Sequence, residues 1–262
     1  MGVTRYGATA GPGQSVIIHG AGGAIGSATA EAFARRGARL HLAGRRAETL
    51  ADVADRASRL GARSVTVDAV DAYDEEAVER HAAHVAATSG IDVMLNAVGI
   101  PLVQGVPLLD VGVSDFLNPA TSWLRTQFLT SRAAARHMTA QLSGTILTLS
   151  ASPSRMALAG VAGFAAACAA VEALTRTFAA EVGPSGVRAV CIRPQRIAET
   201  IGSTPDLPMP LADFTAFLEG LTTSRTLPTL ADVAQMAVAL AEGGARSMNG
   251  AVLNLTCGMS TD

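Results

Sequence analysis

A glycine-rich stretch, HGAGGAIG, separates a short apolar run from an alanine-rich helical pattern near the start of the chain. The turn consists of Gly20, Gly22, Gly23, Ala24, Ile25 and Gly26. Glycines let the backbone turn tightly and approach a diphosphate, and the start of the next helix offers free N–H groups and a favourable dipole. Because the stretch lies between a strand and a helix, it predicts a phosphate-binding turn for a nucleotide.

Two arginines follow the second apolar run, in LHLAGRRAE. An NAD site usually presents an acidic residue there, which accepts a hydrogen bond from the adenosine ribose, but Gly44 stands at that position. Arg45 and Arg46 come next, and two guanidinium groups suit the 2′-phosphate of NADP. The pattern favours NADP over NAD; the alternative is that the arginines simply begin an exposed helix.

Cysteine and histidine are further candidates for chemistry. Cys168 lies mid-helix among alanines with no histidine near in sequence, so nothing predicts a reactive thiolate. His81 and His84 have a spacing that a metal site can use, but their helix is expected to be exposed and to lack further ligands. We therefore predict no metal site, and we expect His19, beside the glycine turn, to have a structural role.

Short apolar runs alternate with longer helical patterns along the chain. The runs cover 15–19, 38–43, 64–68, 92–98, 144–150, 187–192 and 251–256, and the helical patterns lie near 24–36, 46–60, 74–88, 121–141, 161–182 and 230–241. Apolar strands that are each followed by a helix indicate a parallel sheet covered on both faces. The prediction is an α/β fold with a doubly wound, parallel, seven-stranded sheet of the Rossmann type in a single domain.

Two segments depart from this alternation. Residues 1–13 are predicted to be a flexible N-terminal extension, which leaves 14–262 as the domain. Residues 199–228 are dense in Pro and Thr around one short amphipathic helix. Long irregular segments of compact folds are often lids, so we expect a lid-like segment there; an ordinary surface excursion is the alternative.

The composition excludes several classes of protein. The formal net charge is −2, the pI is near 6.2, and no basic patch is concentrated anywhere, which argues against nucleic-acid binding. No apolar run is long enough to span a membrane. Three widely spaced cysteines without a CxxC pair suggest reduced thiols and a cytoplasmic location. All 20 basic residues are arginine.

Beyond the glycine turn, several motifs are similar to those of the short-chain dehydrogenase/reductase family. HGAGGAIG resembles the family's TGxxxGxG turn, with His19 in place of threonine, and LNAVG (95–99) resembles its NNAG motif. VRAVCIRPQRIAET resembles IRVNAIAPGxIxT, with Gln195 in place of glycine. The resemblance covers about residues 14–258. It implies cofactor contacts at Asp68, Asn96, Ala97, Gly99 and Pro194.

The same resemblance would imply a catalytic tetrad of Asn, Ser, Tyr and Lys. The matching positions hold Trp123, Ala151, Phe164 and Cys168. No shift of register recovers the lysine, since the chain has none, and the two tyrosines, Tyr6 and Tyr73, lie far from this region in sequence. The catalytic residues are therefore unknown, and the family's usual acid–base mechanism is predicted to be absent.

Three interpretations remain open. The first is an NADP(H)-dependent oxidoreductase with another proton donor, for which the candidates are Ser150, Ser152, Cys168, Arg155, Arg193 or a water. The second is a non-redox enzyme that cyclises, dehydrates or isomerises a small molecule, with Trp123 and Phe164 shaping an apolar pocket. The third is a pseudoenzyme, a sensor or non-catalytic subunit. The small-residue helix 161–182 is expected to pack in a homo-oligomer, a tetramer or dimer.

Overall fold

The strands form where the chain is rich in Val, Ile and Leu. The computed structural model describes residues 13–203, 207 and 209–261, so the predicted N-terminal extension lies, except for Gly13, outside the described residues. The strands are β1 (Ser15–His19), β2 (Arg39–Gly44), β3 (Ser64–Ala69), β4 (Val93–Asn96), β5 (Gly144–Leu149), β6 (Val187–Pro194) and β7 (Val252–Leu255). Each one lies within two residues, at either end, of the run that predicted it.

The strands form one parallel sheet in the order β3-β2-β1-β4-β5-β6-β7. This arrangement confirms the predicted doubly wound sheet. The chain moves outward from β1 to β3 and then returns to add β4 on the other side of β1. The carboxyl ends of β1 and β4 therefore border the point where the winding reverses, which is where such sheets bind their ligands.

The helices cover both faces of the sheet. They are α1 (Ala24–Ala34), α2 (Ala47–Arg59), α3 (Glu75–Ser89), α4 (Val113–Gln141), α5 (Ala162–Val182), α6 (Leu211–Gly220) and α7 (Leu230–Ala241). Neighbouring residues of β1 face opposite layers, because Val16 and Ile18 belong to one buried cluster and Ile17 to the other. Within the described ranges, no helix combines the length and apolar character needed to cross a membrane.

Helix α4 begins at Val113, eight residues before the expected start near 121, so that boundary was wrong. Pro119 lies inside the helix, and a proline is normally a signal that a helix starts or ends nearby. Tertiary packing explains the difference. The first turns of α4 press on α5, where a Cβ atom at Gly163 would lie 2.5 Å from the carbonyl oxygen of Phe116.

The segment from 199 to 228 contains the expected short helix, α6, and a small core of its own. Ile201, Leu218 and Leu227 are buried together, and Phe214 packs against them. The segment follows β6, so it stands at the carboxyl edge of the sheet. That position suits a lid, and the lid itself stays a prediction.

Candidate functional site at the carboxyl edge of the sheet

The glycine turn after β1 is too tight for side chains. Gly20 has a φ of 75°, and a Cβ atom there would lie 2.6 Å from the backbone carbonyl of Ala97. At Gly26 a Cβ atom would lie 2.3 Å from the carbonyl oxygen of Gly20. Both positions therefore require glycine, because one turn of α1 and the loop after β4 approach this backbone directly.

The start of α1 is open to an anion. Its N-cap, Gly23, has no side chain that could accept from the first N–H groups, and Gly23, Ala24 and Ile25 are only partly covered or exposed. Free N–H groups at a helix start, next to a glycine turn, are the arrangement that binds phosphate. The cradle therefore fits the diphosphate of a dinucleotide, and the binding itself stays a prediction.

This cradle gives a first prediction. Gly26→Ala should lower the free energy of unfolding by about 1–3 kcal/mol, since the added methyl group forces the backbone at Gly20 to move, and it should weaken NADPH binding. Urea unfolding and fluorescence titration measure the two effects. Gly202→Ala is the matched control, because its Cβ atom would meet Leu211 at an ordinary 3.7 Å. If Gly26→Ala and Gly202→Ala had the same unfolding free energy and the same NADPH affinity, the close contact between Gly26 and the backbone of Gly20 would be contradicted.

Arg45 and Arg46 lie at the end of β2, next to the turn. The backbone N–H of Gly20 donates to the carbonyl of Ala43 at 2.9 Å, which ties the glycine turn to this strand end. Both arginine side chains are exposed, and Arg46 is the N-cap of α2. Two exposed guanidinium groups thus lie beside the phosphate cradle, where a second phosphate group can reach them.

The loop after β4 is held in place by Asn96, which is fully buried. Its amide nitrogen donates to Thr130 at 2.9 Å, and its amide oxygen accepts from the backbone N–H of Val98 at 2.9 Å. Asn96 therefore shapes the loop, while Ala97 supplies backbone at the turn. A Cβ atom at Gly99 would meet nothing within 4 Å, so the loop is open there.

Asp68, the expected adenine contact, ends β3 opposite a histidine. Its Oδ2 lies 3.4 Å from Nε2 of His81, without the angles of a hydrogen bond. His81 in turn meets the ring of His19 edge-on, with ring centroids 5.6 Å apart. His81 is 6 % exposed, so the expectation that its helix face is exposed was wrong. Among the described residues, no group of three His, Cys, Asp or Glu side chains could hold a metal ion.

Burial lowers the pKa values of the histidines in this region. Burial, and to a smaller extent the neighbouring His81, together lower the pKa of His19 to about 3. Burial also lowers the pKa of His81, although the carboxylate of Asp68 partly offsets this. His41, on β2, has its pKa lowered to about 4 by burial and by His81. His19 and His81 therefore form a buried ring pair at the glycine turn, close enough to His41 to lower its pKa, and the sequence reasoning missed this group.

On the other side of β4, two aromatic rings stack. Trp123 of α4 and Phe164 of α5 lie with ring centroids 5.7 Å apart and an interplanar angle of 17°. Trp123 is 8 % exposed, whereas Phe164 is half-buried. The close approach of the helices at Gly163 brings the two rings together. Two of the four positions that match the family's catalytic tetrad are therefore occupied by one pair of stacked apolar rings.

The other two positions, Cys168 and Ala151, also adjoin each other. A backbone hydrogen bond from Ala151 reaches the thiol and lowers its pKa, but burial outweighs this and raises the pKa of Cys168 to about 12. Cys168 is fully buried. Because the thiol stays protonated at neutral pH, it is a packing residue here, as the sequence predicted, and a poor nucleophile or proton donor.

The two serines beside Ala151 are buried and already bonded. Ser150 donates to Oε1 of Glu172 at 3.0 Å, and Ser152 donates to Oε1 of Gln195 at 3.0 Å. Because each hydroxyl already donates to a neighbouring side chain, both serines are poorer candidates for a substitute proton donor.

Glu172 is the centre of a network that no sequence pattern predicted. It accepts from Ser154 at 2.6 Å as well as from Ser150, and it pairs with Nη1 of Arg193 at 3.5 Å. The two charged side chains are 4 % and 2 % exposed. The network fixes the 3-10 turn Ser152–Arg155 to α5 and β6, directly before Pro194. Arg155 is exposed at the end of that turn.

Comparisons with known proteins agree with this geometry. The family pattern described as "Enoyl-(Acyl carrier protein) reductase" matches residues 20–260. Borneol dehydrogenase from Lavandula x intermedia is 28% identical over 71% of this chain and 70% of its own. Gluconate 5-dehydrogenase from Gluconobacter oxydans is 29% identical over 67% of this chain and 68% of its own.

A solved structure covers more of the chain. A structure described as that of an NAD(P)-dependent gluconate 5-dehydrogenase from Beutenbergia cavernae, with NADP bound at low occupancy, is 29% identical, covers 95% of this chain and 98% of its own, and superposes with a TM-score of 0.81. The match extends from the glycine turn through the last strand. The chain therefore belongs to the short-chain dehydrogenase/reductase family of oxidoreductases.

Proposed function

We propose that the protein is an NADP(H)-binding oxidoreductase of its family whose proton-transfer machinery is atypical and whose carbonyl reduction is slow. The observation that carries the proposal is the apolar stack of Trp123 on Phe164 beside the buried thiol of Cys168. None of these three side chains offers an ionisable proton at neutral pH. The nucleotide cradle on the other side of β4 keeps its glycines and open helix start.

The residues of the cradle are suited to hold NADP. Gly20, Gly22, Gly23, Ala24, Ile25 and Gly26 would receive the diphosphate, and Arg45 and Arg46 would receive the 2′-phosphate. The structure of the relative from Beutenbergia cavernae contains NADP, which supports NADP as the cofactor of this chain. A bound nicotinamide would supply or accept a hydride at the carboxyl ends of β4 to β6.

The side chains at the proposed substrate site would hold the substrate in place rather than transfer protons to it. The rings of Trp123 and Phe164 and the methyl group of Ala151 offer an apolar wall to a small-molecule substrate. Positioned acid–base catalysis is worth roughly 10²–10⁴-fold, and residues that act as a unit lose that factor together. Hydride transfer that depends on proximity alone can continue, but more slowly.

A second candidate is a cofactor sensor or non-catalytic subunit, the pseudoenzyme interpretation. It is favoured by one observation: the hydroxyls of Ser150 and Ser152 are already bonded to Glu172 and Gln195. NADPH binding with no turnover of any carbonyl compound would favour the sensor, and a homo-oligomer suits either function.

If Arg45 and Arg46 bind the 2′-phosphate, removing both charges should lower the affinity for NADPH. Arg45→Ser with Arg46→Ser should weaken NADPH binding by about 10–100-fold, as expected for one or two charge-assisted hydrogen bonds. NADH binding, which lacks the 2′-phosphate, should be unchanged. Isothermal titration calorimetry with both nucleotides measures this. Arg59→Ser, at the exposed end of the same helix, is the matched control.

Three outcomes would contradict the proposal. Failure of the native protein to bind NADPH would remove the cofactor, and an equal loss of NADH affinity in the double variant would remove the 2′-phosphate contact. Rapid reduction of a panel of aldehydes and ketones by the native protein would show that its acid–base catalysis is intact.

A further inference from the structure

Gln195 stands at the carboxyl end of the sheet with half of its amide unsatisfied. Its side chain is 6 % exposed, and Nε2 is buried without any hydrogen-bond partner. A buried amide that lacks a partner is costly, so native proteins rarely keep one without a use. In the family pattern this position is a glycine, so the amide supplies a donor that the pattern lacks.

The orientation of the amide is settled by its neighbours. The backbone N–H of Arg196 lies 2.9 Å from one amide atom of Gln195, and a backbone N–H can only donate. That atom must therefore be the oxygen, Oε1, which also accepts from Ser152 at 3.0 Å. The remaining atom is the NH₂ group. Two hydrogen bonds thus fix Gln195 so that it presents a donor, and Ser152 acts as its positioning residue.

The position of the Gln195 NH₂ group in the sheet indicates which part of a bound nucleotide would lie near it. Gln195 follows Pro194, the last residue of β6, and its backbone N–H donates to the carbonyl of Leu255 on β7. The sheet order places β6 three strands from β1, a separation of roughly 14 Å. With the 2′-phosphate at the end of β2 and the diphosphate at the end of β1, the nicotinamide half of a dinucleotide must extend over β4, β5 and β6.

We propose that Nε2 of Gln195 donates a hydrogen bond to the carboxamide oxygen of the nicotinamide, a contact additional to the diphosphate cradle. This inference rests on the proposed NADP(H) function. Ser152 and the backbone of Arg196 hold the amide in one orientation, so the NH₂ group needs no rotation on binding. The atoms that bury Nε2 must move aside for the ligand oxygen to reach it. An acceptor oxygen supplies the partner that the buried NH₂ group lacks.

The test compares two nucleotides in calorimetric titration. NADP⁺ carries the nicotinamide, whereas adenosine 2′,5′-bisphosphate contains only the adenosine end of the cofactor. Gln195→Met should weaken NADP⁺ binding about tenfold, the effect of losing a buried hydrogen bond, and should leave the fragment unchanged. Gln195→Gly, the residue of the family pattern, should give the same difference and guards against a folding defect in the methionine variant. Ser152→Ala should give a smaller loss for NADP⁺ only.

The other outcomes overturn the inference in different ways. Unchanged NADP⁺ binding in both variants would show that a water or a substrate carbonyl satisfies the amide. An equal loss for both nucleotides would show that Gln195 merely supports the fold. If the native protein binds the fragment but neither variant changes NADP⁺ affinity, only this inference fails. If it binds neither nucleotide, the proposed function fails with it.

Discussion

Replacing Arg193 by methionine is expected to lower the free energy of unfolding by roughly 3–5 kcal/mol. The guanidinium is 2 % exposed and pairs with the carboxylate of Glu172, which is 4 % exposed. Methionine fills much of the volume of the arginine side chain but leaves the carboxylate buried without its counter-charge. Ser150 and Ser154 would still donate to it, yet two hydroxyls do not neutralise a charge. Urea unfolding at pH 7 measures the loss.

Two further variants separate this explanation from a general loss of packing. Adding Glu172→Gln to Arg193→Met should recover part of the stability, because the buried charge is then absent. Arg80→Met breaks an exposed pair with Glu76, whose side chains are 68% and 87% exposed, and should cost less than about 0.5 kcal/mol. A double variant that is less stable than Arg193→Met alone would contradict the charge argument.

The sequence predicted the sheet well because the signal there is local. Seven apolar runs, each followed by a helical pattern, can bury both faces only as a covered parallel sheet. The start of α4 was missed because Pro119 is a local signal, whereas the contact that keeps the helix going is distant in sequence, at Gly163 on α5. Burial of His81 was missed for a similar reason. Its partners lie at the ends of two strands, Asp68 and His19.

In the candidate site, the sequence indicated which positions to look at, but it did not indicate which side chains contact one another. The family resemblance brought Phe164 and Cys168 into the candidate site, and the structure adds that Trp123 stacks on the ring of Phe164. No pattern connects Glu172 with Arg193, or Ser152 with Gln195, since each pair joins separate elements more than twenty residues apart. One signal was available for the second pair. A long polar side chain in place of the family's glycine needs partners wherever it is buried.

Stability should fall steeply as the pH drops below about 6.5, the pKa of an unperturbed histidine. His19 has its pKa lowered to about 3 by burial and by the neighbouring His81. Between these two values the unfolded chain binds a proton that the folded protein does not, so acid favours unfolding. For His19 alone the loss at pH 5 is about 2 kcal/mol. His41 and His81, whose pKa values are also lowered, act in the same direction.

His19→Thr, which installs the residue of the family pattern, tests this assignment. The change in unfolding free energy between pH 7 and pH 5 should be about 2 kcal/mol smaller in the variant than in the native protein. His137→Gln, on the partly exposed side of α4, should leave that change as it is. The comparison uses the difference between two pH values, so any constant packing cost of His19→Thr cancels. The groups that face these histidines, Asp68, Arg39 and His84, stay in place in both variants. An identical pH dependence in the threonine variant would mean that the acid sensitivity arises elsewhere.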